Sequence, residues 1–61
     1  MPFVMIDWIE GRDDDQKRAI VKDITDSMVK HAKCPPEAVS IVFTEHPRSC
    51  IAKAGKLLSD K

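Results

Sequence analysis

The first apolar segment of the chain covers residues 2–9 and is rich in β-branched and aromatic side chains. It stops at Glu10 and Gly11, and this combination predicts a strand that ends in a turn. Because side chains alternate across a strand, the segment would have two apolar faces. One face would carry Val4, Ile6 and Trp8, and the other would carry Phe3, Met5 and Ile9 with Asp7 among them. Both faces of this strand therefore need to be covered.

A long amphipathic helix is predicted from about residue 14 to about residue 32. Asp13 can cap its first turn, and Gln16, three residues later, can bond back to the cap in the capping-box pattern. The apolar stripe consists of Ile20, Ile24 and Met28, with Val21, Ser27 and Ala32 beside it. The helix should end before Cys34, because neither of the two prolines that follow has the N–H group that a helix needs.

The alternation of side chains from Val39 to Thr44 predicts a second strand. A strand, a long helix and another strand imply a right-handed βαβ unit with parallel strands. After a turn signal at residues 46–49, the tail from Cys50 to Lys61 is compatible with a short strand or hairpin. We therefore expect one α/β domain that covers residues 1–61, without a linker, repeat or low-complexity segment.

A single βαβ unit leaves one sheet face and both sheet edges open. A chain of 61 residues also buries little apolar surface, so it needs a disulfide, a metal or oligomerisation to be stable. Cys34 and Cys50 allow at most one disulfide, and the N-terminus lacks the features of a secretory signal, which favours a reduced, cytoplasmic chain. We therefore expect an obligate oligomer in which sheets of different copies pair and stack.

Charge and motif spacing limit the possible partners. Ten Lys and Arg residues balance ten Asp and Glu residues, which argues against nucleic acid or an anionic membrane as the main partner. His31 with Cys34, and His46 with Cys50, have spacings that raise the question of a zinc site. The first pair straddles a helix end and the second a turn, so ordinary structural roles are favoured and no metal is expected.

Pro2 is a candidate for acid–base chemistry. An initiator methionine is commonly removed before proline, and Pro2 would then carry a free secondary amine at the start of the first strand. An α-amino group has a pKa of about 7.7 to 8.0, which an apolar pocket beside a cation lowers towards the range of a general base. Most Met-Pro starts have no such role, so this hypothesis needs support from the rest of the chain.

Further motifs give that support. After Pro2 come Glu-Gly-Arg at 10–12 and Asp-x-Asp-Gln-Lys at 13–17, and later Thr-Glu at 44–45 and Ala-Gly-Lys at 54–56. The whole pattern resembles the small subunits of the tautomerase superfamily, in particular the 4-oxalocrotonate tautomerase group. The resemblance implies a hexamer built as a trimer of dimers, with a four-stranded sheet in each dimer. It also implies an isomerase, without metal or organic cofactor, that moves a proton in a small 2-oxo or 2-hydroxydienoate acid by keto-enol or allylic isomerisation.

The resemblance also implies roles for individual residues. Pro2 would act as the catalytic base and then as the acid, and Arg12 would bind a substrate carboxylate, for which a forked guanidinium is suited. Ser40 stands where well-studied members carry a second arginine, and Ile51 where an aromatic residue is often found. Ser40 brings no charge, so electrophilic assistance should be weaker and turnover of a dicarboxylate such as 2-hydroxymuconate less efficient. Arg48, or an arginine of a neighbouring copy, could fill the gap.

Other functions remain open. A hydratase or dehalogenase of short unsaturated or halogenated acids would need a carboxylate to activate water, for which the candidates are Asp7, Glu10 and Glu45. The missing second arginine is also compatible with a catalytically inactive subunit of a hetero-oligomer. Arg12 could itself be a solvated surface charge, or a partner of Asp14 or Asp15.

Overall fold

Two parallel strands and a long helix form most of the structure, a computed structural model that describes residues 2–60. The elements are β1 (Phe3–Ile9), α1 (Asp14–Ala32), β2 (Ser40–His46), β3 (Ala52–Lys53) and β4 (Lys56–Leu57), with 3-10 turns at Pro36–Ala38 and Arg48–Cys50. β1 and β2 are parallel, with Phe3 opposite Ser40 and Ile9 opposite His46. β3 and β4 form an antiparallel hairpin. The predicted α/β fold, a βαβ unit with parallel strands and a short C-terminal hairpin, is confirmed.

The ends of α1 follow the predicted local chemistry. The side chain of Asp13 accepts a hydrogen bond from the backbone N–H of Gln16 (2.8 Å), and the Asp13 N–H donates to the Gln16 side chain (3.0 Å). This reciprocal pair satisfies N–H groups that the first turn leaves free. At the other end, Lys33 adopts a left-handed conformation with φ 57° and ends the helix ahead of the two prolines.

The covered stripe of α1 differs in part from the prediction. Ser27 and Ala32 are exposed, whereas Thr25 and Val29 are half-buried. At about 100° per residue the stripe is centred near Val21, which leaves Ser27 outside it. Ala32 lies in the last turn, and a helix of 19 residues is about 28 Å long. The helix is therefore longer than the strands, which reach only about 23 Å, and part of it has no strand to pack against.

The strand boundaries also shift. Pro2 lies just outside β1, although its carbonyl accepts a hydrogen bond from the Ser40 N–H (3.0 Å) and so extends the pairing. β2 runs two residues further than Thr44, to His46, because pairing with β1 continues and Pro47, which has no N–H, then ends it. Val39 lies outside the strand because its N–H closes the preceding 3-10 turn.

The hairpin is closed by Ala54 and Gly55, whose φ angles are 51° and 79°. Two consecutive positive φ values are typical of a type I′ turn, whose twist matches that of the flanking strands. The Leu58 N–H donates to the Ile51 carbonyl (2.8 Å), which extends the pairing beyond the two strands. The tail therefore forms an ordered hairpin after the carboxyl end of β2.

The protomer leaves much apolar surface uncovered. No residue among 2–60 is fully buried, and the open sheet face exposes 67% of Phe3, 65% of Met5 and 40% of Val42. The accessible surface is 4785 Å², against about 4,000 Å² for a compact monomer of this mass. The radius of gyration is 15.0 Å, against about 10.5 Å for a compact domain of this length. In the part of the chain that the structure describes, no helix is long and apolar enough to cross a membrane.

Candidate active site

Pro2 and Ser40 meet at the end of the sheet where both parallel strands begin. Pro2 is half-buried, and its carbonyl accepts the Ser40 N–H described above. Ser40 lies directly opposite Phe3, the first residue of β1. The structure therefore brings two of the four predicted site residues together. Met1 lies outside the described residues, so its expected removal stays a prediction.

Arg12 lies beyond the other end of β1, just before the cap of α1. Its guanidinium carbon is 4.9 Å from the centroid of the Trp8 ring, and its Nη1 donates a hydrogen bond to the Ile9 carbonyl (2.9 Å). The suggested partnership with Asp15 is not found, because the Asp15 carboxylate accepts from Arg18 (2.7 Å). Arg12 is exposed but has defined contacts with β1.

The two ends of the sheet cannot form one site within a protomer. β1 contains seven residues, and a strand rises about 3.3 Å per residue, so Phe3 and Ile9 are about 20 Å apart. Ile51 follows the carboxyl end of β2 and is therefore on the Arg12 side, far from Pro2. One protomer thus carries Pro2 with Ser40 at one end and Arg12 with Ile51 towards the other.

Two of the carboxylates considered for activating water already have partners. On the open face, Asp7 Oδ1 is 2.8 Å from His46 Nε2. On the helix-covered side, Glu45 Oε1 accepts from Lys17 Nζ at 2.7 Å. These contacts leave neither group as an isolated base. Arg48 lies in the 3-10 turn after β2, on the side of the sheet away from Pro2.

The four residues weighed as zinc ligands are dispersed. His46 bonds to Asp7 on the sheet, while the Cys34 thiol lies 3.7 Å from the Met28 carbonyl at the end of α1. Among residues 2–60, no three His, Cys, Asp or Glu side chains form a group suited to hold a metal ion.

Trp8 is the neighbour whose contact with Arg12 the sequence did not reveal. Trp8 also stacks on Phe43, with ring centroids 5.0 Å apart and planes 17° apart. The chain reverses direction at Gly11, where φ is 129°, and this brings the side chain of Arg12 back over Trp8. In the sequence, the only indication of this contact was the short Glu-Gly turn that separates Trp8 from Arg12.

Comparisons with known proteins agree on one family. A family model described as "Tautomerase enzyme" matches residues 2–61. A probable tautomerase of Listeria innocua is 40% identical over 98% of this chain and 98% of its own length. A probable tautomerase of Ralstonia nicotianae is 39% identical over 100% of this chain and 94% of its own length. A crystal structure of a 4-oxalocrotonate tautomerase homologue superposes with a TM-score of 0.94 at 31% identity, covering 100% of this chain and 97% of that chain.

Proposed function

This chain belongs to the tautomerase family, within the 4-oxalocrotonate tautomerase group, and we propose that its substrate is a small 2-oxo or 2-hydroxydienoate acid. The enzyme is a tautomerase, so its reaction relocates a proton and a double bond. The free amine of Pro2 takes the proton from an enol oxygen or an allylic carbon and returns it to another carbon. One O–H or C–H bond breaks and one C–H bond forms, so the reaction needs no oxidant, reductant or organic cofactor.

The substrate carboxylate is bound by Arg12 of a different copy. The observation that carries this proposal is the separation of Pro2 and Arg12 by the whole length of β1. A two-fold axis between antiparallel copies would bring one end of a protomer to the opposite end of its partner. The exposed apolar face, with Phe3 and Met5 more than half exposed, supports stacking of the resulting four-stranded sheets into a homohexamer, a trimer of dimers.

Ser40 and Ile51 adjust the substrate preference. Ser40 offers a hydroxyl beside the proline where related enzymes are expected to have a cation, so a second carboxylate would have no charged partner at that position. Ile51 provides an aliphatic surface at the other side of the composite site. The enzyme should therefore prefer monoacids with an apolar end to diacids.

We also propose that the chain functions as a single domain in a reducing compartment such as the cytoplasm. Cys34 and Cys50 both carry free thiols, and Cys50 is exposed. An exposed thiol is compatible with a compartment in which glutathione keeps cysteines reduced. Stability would then come from association between copies and not from a disulfide.

A substrate panel tests the proposed reaction. Methionine-free protein is assayed by ultraviolet absorbance with phenylenolpyruvate, with 2-hydroxydienoates and with the diacid 2-hydroxymuconate. We expect turnover of the monoacids at higher kcat/KM than the diacid. Release of halide from a short halogenated unsaturated acid, without isomerisation of any panel member, would favour the hydratase or dehalogenase alternative. Absence of both activities would favour an inactive subunit.

A further inference from the structure

The guanidinium of Arg12 is restrained by two different contacts on β1. The guanidinium carbon of Arg12 lies over the Trp8 ring, 4.9 Å from its centroid. One edge is held by the hydrogen bond from Nη1 to the Ile9 carbonyl (2.9 Å). Cation–π attraction keeps the guanidinium close to the ring, and the hydrogen bond fixes the direction in which Nη1 points. An otherwise flexible exposed arginine is thus held in one orientation.

Trp8 is itself held firmly enough to serve as a platform. Phe43 stacks against it from the adjacent strand, with nearly parallel rings. Its indole nitrogen is shielded from solvent and has no hydrogen-bond partner within residues 2–60, so the ring is retained by packing alone. Tryptophan is the aromatic side chain that attracts a cation best, although the attraction is modest for an exposed cation such as Arg12.

A carboxylate next to Trp8 on the neighbouring strand already has a cationic partner. Glu45 lies directly opposite Trp8 in the strand pairing and could attract Arg12 away from the ring. It instead accepts from Lys17 of α1 at 2.7 Å, in a pair whose side chains are 23% and 33% exposed. The guanidinium has five N–H donors, and the contact with Ile9 uses only one nitrogen. Donors therefore remain for two parallel hydrogen bonds to a carboxylate from outside the protomer.

We propose that Trp8 is a positioning residue for carboxylate recognition: its indole ring, together with the Ile9 carbonyl, presents the guanidinium of Arg12 to the incoming acid. The inference rests on the proposed function only in assuming that Arg12 binds a carboxylate. A prepositioned guanidinium loses less conformational freedom when the acid binds. Trp8 would therefore raise the affinity for carboxylates without touching the reacting atoms.

A spectroscopic test is available because Trp8 is the only tryptophan in the chain. The intact protein is titrated with crotonate, with its uncharged analogue crotonamide as control. We expect crotonate to change the Trp8 emission in a saturable manner, and crotonamide to leave it unchanged. The variant Arg12→Ala should lose the response. An equal response to crotonate in Arg12→Ala, or no response at concentrations that inhibit turnover, would overturn the proposal.

Kinetics of Trp8 variants provide the second test. Trp8→Phe keeps an aromatic face and should stay within about 2-fold of the parent, whereas Trp8→Leu should raise KM about 3- to 10-fold with little change in kcat. Phe43→Leu removes an aromatic ring from the same covered side without removing the Arg12 contact, and it should change KM less than Trp8→Leu. In an Arg12→Ala background, Trp8→Leu should have no further effect on KM. A further loss of the same size there would assign Trp8 a purely structural role.

The two proposals can fail separately. An Arg12-dependent response to crotonate in a protein that isomerises no acid of the panel would support the positioning role and contradict the proposed reaction. Turnover of the panel acids with Trp8→Leu indistinguishable from the parent would support the reaction and contradict the positioning role.

Discussion

The chemistry of Pro2 depends on whether its nitrogen is an amine or an amide. Only the amine has a lone pair that can accept a proton, so an N-terminal Gly-Ser extension, which keeps the nitrogen in a peptide bond, should abolish isomerisation. Pro2→Ala retains a free primary amine and should keep part of the activity with a shifted pH profile. Initial rates from pH 5 to pH 9 with phenylenolpyruvate test both variants. Full activity of the extended protein would rule out Pro2 as the base.

Arg12 is expected to contribute mainly to binding of the substrate carboxylate. A charge-assisted hydrogen bond contributes about 1.5 to 3 kcal/mol, so Arg12→Ala should lower kcat/KM roughly 10- to 150-fold. Arg18→Ala is a matched control, because Arg18 is an exposed arginine whose ion pair within residues 2–60 is with Asp15 on the surface of α1. That control should stay within about 2-fold of the parent. Similar losses in the two variants would indicate a general charge effect and contradict the assigned role of Arg12.

For single residues, the sequence predicted which side chains are candidates for the site, but it did not predict what those side chains contact. Pro2 and Arg12 belong to a local motif that can be read along the chain. The contact between Arg12 and Trp8 depends on the chain reversal at Gly11 and on the rotamers of both side chains, which no local pattern determines. The sequence alone therefore does not distinguish a carboxylate-binding Arg12 from a solvated surface charge.

The capping box of α1 should contribute to the stability of the protein. Asp13→Ala removes the acceptor for the Gln16 N–H and should destabilise the protein by about 1 kcal/mol. For a domain of this size the melting temperature should fall by about 4 to 8 °C, compared at equal protein concentration. Asp14→Ala is the control, since Asp14 is an exposed acid in the first turn but not the cap. Equal shifts would show that charge at the helix start matters and the cap does not.

The bounds of an element were predicted well where residues near its ends mark them, and poorly where they depend on distant contacts. The helix bounds were predicted correctly because Asp13, Gln16 and the two prolines mark both ends with backbone chemistry. The end of β2 was missed because it is determined by pairing with β1, a contact between residues distant in sequence. The β3 and β4 hairpin was only one of two options, since its turn has Ala54 where turns of this type usually have asparagine, aspartate or glycine.

For the whole molecule, the open sheet face should determine assembly. Met5→Lys would place an unpaired charge on this face, and burying such a charge between stacked sheets costs several kcal/mol. The variant should sediment as a smaller species in analytical ultracentrifugation and lose activity in proportion. Ser27→Lys adds the same charge on the exposed side of α1 and should leave the oligomer unchanged. An unchanged oligomer for Met5→Lys would show that another surface holds the copies together.

If Pro2 and Arg12 of one site come from different chains, two defective variants should complement each other when they are mixed. One variant carries the N-terminal extension that blocks Pro2, and the other carries Arg12→Ala, so neither chain alone has both groups. After joint unfolding and refolding at equal amounts, about a quarter of the sites would combine a free Pro2 from one chain with an Arg12 from another. We expect activity on phenylenolpyruvate well above the sum of the activities of the separately refolded variants. Activity equal to that sum, in oligomers shown by mass spectrometry to contain both chains, would contradict a site shared between chains.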